Sequence, residues 1–164
     1  MKAASLVLGA TMSMLLSPGA IAGDTDYTPA PAPSGDKFLV YFYRMPAGNL
    51  SFRGAEIIVD GKKLFGLATG EYSYAYLPAG THTVRADEGK LLWSSGGQSN
   101  EIALSGNAGE THYARVAVGT DISQFNPVSM FVLMEVKPLL GERQLAMSHL
   151  DPDTLAQLPP EFRE

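Results

Sequence analysis

The chain contains no cysteine and only one tryptophan, Trp93, among its 164 residues. Without cysteine it can form no disulfide, offer no thiol for catalysis or metal binding, and carry no lipid on an N-terminal cysteine. Hydrophobic burial must therefore supply its stability, and lipid anchoring is not expected. A single tryptophan is also fewer than we expect in a dedicated carbohydrate-binding module.

The chain is poor in basic residues, with 12 Lys and Arg against 17 Asp and Glu and a formal net charge of −5. Nucleic-acid binding needs a concentrated basic face that neutralises phosphates, and binding to an anionic membrane surface has the same requirement. The sequence contains no cluster of Lys and Arg. We therefore expect no nucleic-acid partner.

A long hydrophobic run is missing as well, because the one extended apolar stretch covers only residues 3–16. A transmembrane helix needs about 20 apolar residues, so we expect no integral membrane span. Lys2 precedes the stretch, and Ala20-Ile21-Ala22 supplies the small residues that a signal peptidase requires. Residues 1–22 are predicted to be a cleaved signal peptide, which makes the mature protein periplasmic or secreted.

Composition divides the rest of the chain into three regions. Residues 23–36 alternate Pro with Ala and small polar residues, which predicts a disordered leader. Residues 37–138 form the predicted β domain. Residues 139–164 are a C-terminal tail that we expect to pack loosely and to contain a short helix or an edge strand. Within this tail, Asp151 and Pro152 are the residue types favoured at the N-cap and first turn of a helix.

The β domain consists of short apolar segments separated by turns. Phe38 to Tyr43 is apolar on both faces, which is typical of a strand that is covered on both sides. Asp60-Gly61 predicts a tight hairpin, because both residues tolerate positive φ. Thr69-Gly70 and Pro78-Ala79-Gly80 predict further turns. About eight short strands indicate an all-β fold, a single antiparallel β-sandwich or a partly open barrel.

Three segments together carry a family resemblance: "VYFYR", "IIVDGKKLFGLATGEYSYAYLPAGTHTV" and "AGETHYARV". In this order they resemble domain of unknown function 2846, a family of uncharacterised bacterial envelope proteins and lipoproteins. The resemblance implies an envelope location and no known activity. Many members resemble lipoproteins with a Cys at the cleavage site, whereas Ala22-Gly23 stands there in this chain, which favours a soluble periplasmic form. The second segment is more distantly similar to carboxypeptidase regulatory-like β-sandwich modules, which are spacers or binding modules.

Candidate catalytic residues are few. A metal site needs at least three converging ligands, and the chain has three separated histidines, His82, His112 and His149. No Gly-x-Ser-x-Gly motif is present, so no nucleophile elbow is predicted. We therefore predict no catalytic residue, metal or cofactor. The alternative is a small periplasmic hydrolase with a site centred on His82 or His112.

A tyrosine stripe is the strongest candidate for a binding surface. Tyr72, Tyr74 and Tyr76 share one face of a strand, and Tyr41 and Tyr43 extend that face if their strand is adjacent. The sequence allows two interpretations: a wall that contacts an envelope protein or a glycan, or rings that fill the core. We expect Tyr74 to be buried and Tyr72 and Tyr76, nearer the strand ends, to be more exposed. Trp93 is the second predicted anchor. These features favour a non-enzymatic binding or structural module.

Overall fold

The computed structural model describes residues 27–46, 54–89, 100–121 and 128–164. The predicted signal peptide and Trp93 lie outside the described residues. The elements in chain order are β1 (Lys37–Arg44), β2 (Ala55–Val59), β3 (Lys62–Leu67), β4 (Glu71–Pro78), β5 (Gly80–Glu88), β6 (Glu101–Gly106), β7 (Thr111–Asp121), β8 (Val128–Val136), α1 (Pro138–Leu145), β9 (His149–Leu150), α2 (Pro152–Gln157) and a 3₁₀ turn (Pro160–Phe162).

The strands form two sheets, which confirms the predicted all-β sandwich. Sheet 1 has the order β8-β7-β1-β4-β9 and sheet 2 the order β3-β2-β5-β6. The described strands do not close into a barrel. Most pairs are antiparallel, but β1 pairs with β7 and β4 pairs with β9 in parallel, which the sequence analysis did not predict.

Two of the predicted turns connect the two sheets and do not join neighbouring strands of one sheet. The Thr69-Gly70 turn takes the chain from sheet 2 to sheet 1, and the segment from Pro78 to Gly80 takes it back. Only Asp60-Gly61 closes a two-residue hairpin between sheet neighbours in the first half of the described chain. Its two residues have φ values of 48° and 78°, as the prediction of a tight hairpin requires.

A hydrophobic core fills the space between the sheets. Alternate residues of β1 point into it, among them Phe38, Val40 and Phe42, all with no exposed surface. Leu39, Tyr41 and Tyr43 point to the opposite side of sheet 1 and are 0–3% exposed. β1 is therefore covered on both sides, as its pattern predicted, and sheet 1 has a second apolar cluster on its outer face.

The C-terminal tail packs tightly, so the expectation of loose packing is wrong. Leu145 of α1 is fully buried in the outer cluster, while Leu158 and Phe162 are about 5% exposed and complete the central core. The predicted helix start is present, because the Asp151 side chain accepts a hydrogen bond from the Asp153 backbone N–H at 3.0 Å. The tail holds both a short helix and a short edge strand. None of its helices, nor any other helix in the described ranges, is long and apolar enough to cross a membrane.

Candidate functional site

The outer face of sheet 1 is lined by aromatic residues from three neighbouring strands. Register explains their convergence, because Tyr41 of β1 lies opposite Tyr74 of β4 on one side and Tyr113 of β7 on the other. Strand alternation then brings the remaining rings to the same side. We call this surface the tyrosine face, and it consists of Leu39, Tyr41, Tyr43, Tyr72, Tyr74, Tyr76 and Tyr113.

The exposure of the three predicted tyrosines is the reverse of the expectation. Tyr72 is fully buried and Tyr76 is 2% exposed, whereas Tyr74 in the middle of the strand is only partly buried. The prediction that Tyr74 is the buried one is therefore wrong. Position along the strand did not decide burial, because other segments of the chain cover the two ends of β4.

The rings pack against one another around Tyr41. Its ring stacks on Tyr113 at a centroid distance of 5.5 Å and meets Tyr74 edge-on at 5.8 Å. Such pairs add about 0.5–1.5 kcal/mol each beyond the area that they bury. The tyrosine face is thus an ordered aromatic surface and not a set of independent side chains.

The N-terminal leader covers one part of this face. The Ala30 backbone N–H donates a hydrogen bond to the Tyr41 hydroxyl at 2.8 Å, and the Tyr76 hydroxyl donates to the Pro31 carbonyl at 2.8 Å. The Tyr27 ring lies 5.8 Å from the Tyr72 ring and 6.1 Å from the Tyr41 ring. Tyrosine hydroxyls thus pair with backbone groups of residues 30 and 31 that the alternating prolines leave without partners in the leader itself. The assignment of residues 23–36 as a disordered leader stays a prediction.

Helix α1 covers the other part of the face. The Tyr43 hydroxyl donates a hydrogen bond to the Gln144 side-chain oxygen at 2.7 Å. Gly141 faces Tyr113 so closely that a Cβ atom at this position would lie 2.3 Å from the ring carbon Cγ. Glycine is the one residue that permits this approach, so α1 is fitted to the tyrosine face.

Burial raises the pKa values of five tyrosines of this face. Desolvation raises the pKa of Tyr43 to about 12 and the pKa of Tyr113 to about 12. Desolvation also raises the pKa values of Tyr72, Tyr74 and Tyr76 above the ordinary value. The raised pKa values extend to higher pH the range in which these hydroxyls stay protonated and can donate hydrogen bonds.

A cavity of about 180 Å³ opens beside the partly buried ring of Tyr74. Pro31 of the leader, Tyr76 of β4 and four residues of the C-terminal tail also line it: Leu155, Leu158, Arg163 and Glu164. The tyrosine face thus has a covered part beneath the leader and an accessible part at Tyr74.

Two histidines were the alternative candidates, and His82 joins two turns. Its Nδ1 lies 2.7 Å from Asp60 Oδ2, and its Nε2 lies 2.8 Å from the Pro78 carbonyl oxygen. Burial raises the pKa of Asp60, but hydrogen bonds from His82 and from the Thr83 backbone N–H outweigh burial, so that this pKa lies below its ordinary value. His82 and Asp60 hold the hairpin of sheet 2 against the turn that leads into β5.

His112 lies between two carboxylates. Its Nδ1 is 2.7 Å from Glu135 Oε1 and its Nε2 is 3.2 Å from Glu110 Oε2. Hydrogen bonds from the Asn107 side chain and backbone, followed by that from His112, lower the pKa of Glu110 to about 2. Both ring nitrogens of His82 and of His112 are thus engaged by acceptor groups, and neither ring contacts a hydroxyl nucleophile among the described residues. This geometry differs from that of a catalytic triad.

A third feature is a cavity of about 360 Å³ at the end of β1, lined by Arg44, Met45, Thr69 and Arg115 with part of β7. The Arg44 guanidinium donates to the Leu67 carbonyl at 2.9 Å and lies 4.9 Å above the Phe131 ring. The contact with Leu67 of β3 connects the two sheets, whereas the contact with Phe131 of β8 lies within sheet 1. Within the described ranges, no group of three or more His, Asp and Glu side chains is arranged to hold a metal ion.

The family comparison matches residues 34–128 to the model described as "Protein of unknown function (DUF2846)", which is more than half of the chain. The chain belongs to the DUF2846 family. No curated protein and no solved structure matches it. The matched residues of the DUF2846 domain include β1, β4 and β7, which build the tyrosine face, and end at the first residue of β8. The more distant similarity to carboxypeptidase regulatory-like modules stays a prediction.

Part of this site was predicted from the sequence of the DUF2846 domain, namely Tyr72, Tyr74 and Tyr76 with an extension by the tyrosines of β1. Tyr113 was not predicted, because its strand lies beside β1 through a parallel pairing that the local sequence does not indicate. Tyr27 was not predicted either. The available signal for Tyr27 was an aromatic residue at the start of an uncharged Pro-Ala segment.

Proposed function

We propose that this DUF2846 protein is an exported, non-catalytic binding module of the cell envelope and that the tyrosine face is its binding surface. The observation that carries the proposal is the leader on that face. Tyr27, Ala30 and Pro31 contact it through one aromatic ring and two backbone hydrogen bonds at 2.8 Å. A face that holds an extended segment in this way has the properties of a peptide-recognition surface.

The histidine geometry supports a non-catalytic role over the hydrolase alternative. The partners of His82 and His112 are carboxylates and a carbonyl oxygen, which hold each ring in place. The accessible aromatic ring with a neighbouring cavity, by contrast, lies at Tyr74. Aromatic residues with an apolar ring and a polar tip are enriched at protein interfaces.

The binding role is tested by site-specific photo-cross-linking in the exported protein. A photoreactive phenylalanine analogue replaces Tyr74, and a matched variant carries it at Thr83, an exposed residue of sheet 2. We expect a discrete envelope adduct from position 74 and none from position 83. Equal labelling at both positions, or none at either, would contradict the proposal. A glycan in the adduct in place of a polypeptide would assign the surface to carbohydrate.

Export forms a separate part of the proposal and rests on the predicted signal peptide. Intact-mass measurement of protein from the soluble periplasmic fraction should give a chain that begins at Gly23. A mass that includes residues 1–22, or recovery only with membranes, would contradict it.

A further inference from the structure

We infer that the tyrosine face binds uncharged, extended peptides in which proline alternates with small residues after an aromatic residue. The leader is the intramolecular occupant of this face. This inference rests on the proposed function and names its ligand class. The sequence of the occupant is "YTPAPAPS", residues 27–34, which carries no charged side chain.

The hydrogen bonds recognise the peptide backbone. Tyr41 accepts from the N–H of Ala30, and Tyr76 donates to the carbonyl of Pro31, the adjacent residue. A weaker contact joins the Tyr72 hydroxyl to the Thr28 carbonyl at 3.5 Å. Because these contacts involve main-chain groups, a segment of another protein with the same backbone could make them.

Proline spacing sets the register of the bound segment. Proline has no N–H, so Ala30 is the only residue from 29 to 31 that can donate a backbone hydrogen bond. A segment with proline at this position loses the bond to Tyr41. Extended proline-containing chains also have few conformations to lose on binding, and their backbone groups make no internal hydrogen bonds. Alternation of proline with a small residue meets both requirements, whereas continuous proline meets only the second.

The Tyr27 ring anchors the start of the bound segment on the tyrosine face. Tyr27 is partly buried, and its ring contacts the rings of Tyr41 and Tyr72. Its position three residues before Ala30 defines the pattern aromatic-x-Pro-small-Pro. The cavity of about 180 Å³ beside Pro31 and Tyr74 leaves space for a larger side chain at the following positions of a ligand.

The tethered leader competes with any such ligand. A short flexible connection gives an effective concentration in the millimolar range, so a free peptide must exceed it to bind. Weakening the contacts of the leader should therefore expose the tyrosine face. The variant Tyr27→Ser/Ala30→Pro removes both the aromatic ring and the N–H donor. Both residues are only partly buried, so the fold of sheet 1 should persist.

The test is an NMR titration of the full chain and of this variant with the synthetic peptide YTPAPAPS. We expect saturable shifts at Tyr41, Tyr74 and Tyr76 in the variant, and at least about tenfold weaker binding to the wild-type chain because of the tether. A matched peptide with proline in place of the first alanine, YTPPPAPS, should bind the variant roughly 2- to 12-fold less tightly, the value of one hydrogen bond.

Three outcomes would overturn the inference. The first is the absence of saturable shifts in the folded variant, and the second is equal affinity of the variant and the wild-type chain, which would place the peptide elsewhere. The third is binding of chitotetraose, a soluble glycan, at Tyr74 without binding of the peptide. If Ala30→Pro and Tyr27→Ser together unfold the protein, Ala30→Pro alone is titrated with the same expectations. A failed titration beside a polypeptide adduct at position 74 would refute this inference and leave the proposed function standing.

Discussion

The outer faces of the two sheets differ in composition and in what covers them. On sheet 2 most outward side chains are polar, and several pair across strands, as Lys63 does with Glu56 at 2.6 Å and Thr81 with Ser105 at 2.8 Å. On sheet 1 the outward side chains are aromatic, and the leader and α1 cover them. Sheet 2 has the usual pattern of a solvated face, whereas sheet 1 carries a second apolar cluster that depends on segments outside the sandwich.

The two outer faces therefore differ in what they need from their surroundings. The polar face requires nothing beyond water and its own ion pairs, which contribute little each when exposed. The tyrosine face requires a covering segment, because contiguous apolar surface is uncommon on monomeric proteins unless it is an interaction site. A covering segment that is extended and held by backbone hydrogen bonds can be replaced by a similar one, and this is why we place function on sheet 1.

The largest difference in the free energy of unfolding should come from replacing one residue on each outer face with alanine. Tyr72→Ala should lower the free energy of unfolding by about 3–5 kcal/mol, because it empties a fully buried site in the outer cluster. Thr83→Ala on the exposed face of sheet 2 should change it by less than about 0.5 kcal/mol. Urea denaturation of both variants measures the difference. Equal losses would mean that the tyrosine face is no better packed than the polar one.

A pair of glycine substitutions makes the same comparison with a single methyl group. Gly141→Ala should cost about 1–3 kcal/mol, because the new Cβ would overlap the Tyr113 ring. Gly66→Ala in sheet 2 should be close to neutral, since its Cβ would meet only the Ala55 carbonyl oxygen at 4.0 Å. Thermal unfolding reports both effects. A neutral Gly141→Ala variant would show that α1 does not pack closely on the face.

The two regions should also respond at opposite ends of the pH scale. The folded-state pKa values of Tyr43 and Tyr113 are raised to about 12, so their stabilising effect is complete below the unfolded value near 10 and is lost as pH rises through about 12. The folded-state pKa of Asp60 is lowered, so its effect is present above the unfolded value near 4 and is lost as pH falls through the folded value. Tyrosinate absorbance and carbon NMR of the Asp60 carboxyl follow these transitions. Titration of Tyr43 and Tyr113 near pH 10 while the protein stays folded would contradict their burial.

The smallest expected effect distinguishes two neighbouring alanines of the leader. Ala30→Pro should destabilise the protein by about 0.5–1.5 kcal/mol relative to Ala32→Pro, because only Ala30 donates its N–H to the Tyr41 hydroxyl. Both substitutions add the same ring, so the comparison isolates the hydrogen bond. Indistinguishable urea midpoints of the two variants would mean that the hydrogen bond from Ala30 to Tyr41 does not stabilise the protein.

The sequence predicted the features that local chemistry determines. The hairpin at Asp60-Gly61, the two-sided burial of β1 and the helix start at Asp151 follow from positive φ, from alternation and from capping, and the structure confirms all three. The parallel pairing of β1 with β7 was not predictable in this way, because it depends on where the chain crosses between sheets. The docking of Tyr27 was missed for the same reason, since a Pro-Ala segment is ordered only when a matching surface exists elsewhere in the chain.

The same limit explains the error on the tyrosines. Alternation correctly placed Tyr72, Tyr74 and Tyr76 on one side, but their exposure depends on the leader and on the C-terminal tail. Local pattern therefore identified the face, and tertiary contacts decided which part of it remains accessible.

The most direct test of this account is amide hydrogen exchange of Ala30 in the full chain, measured by NMR against the exposed Ala32 as an internal reference. The Ala30 N–H lies 2.8 Å from the Tyr41 hydroxyl oxygen and should be protected, and Tyr41→Phe should remove that protection without altering exchange at Ala32. An Ala30 amide that exchanges at the rate of an unstructured peptide in the wild-type chain would contradict the account, because the tyrosine face would then have no bound segment.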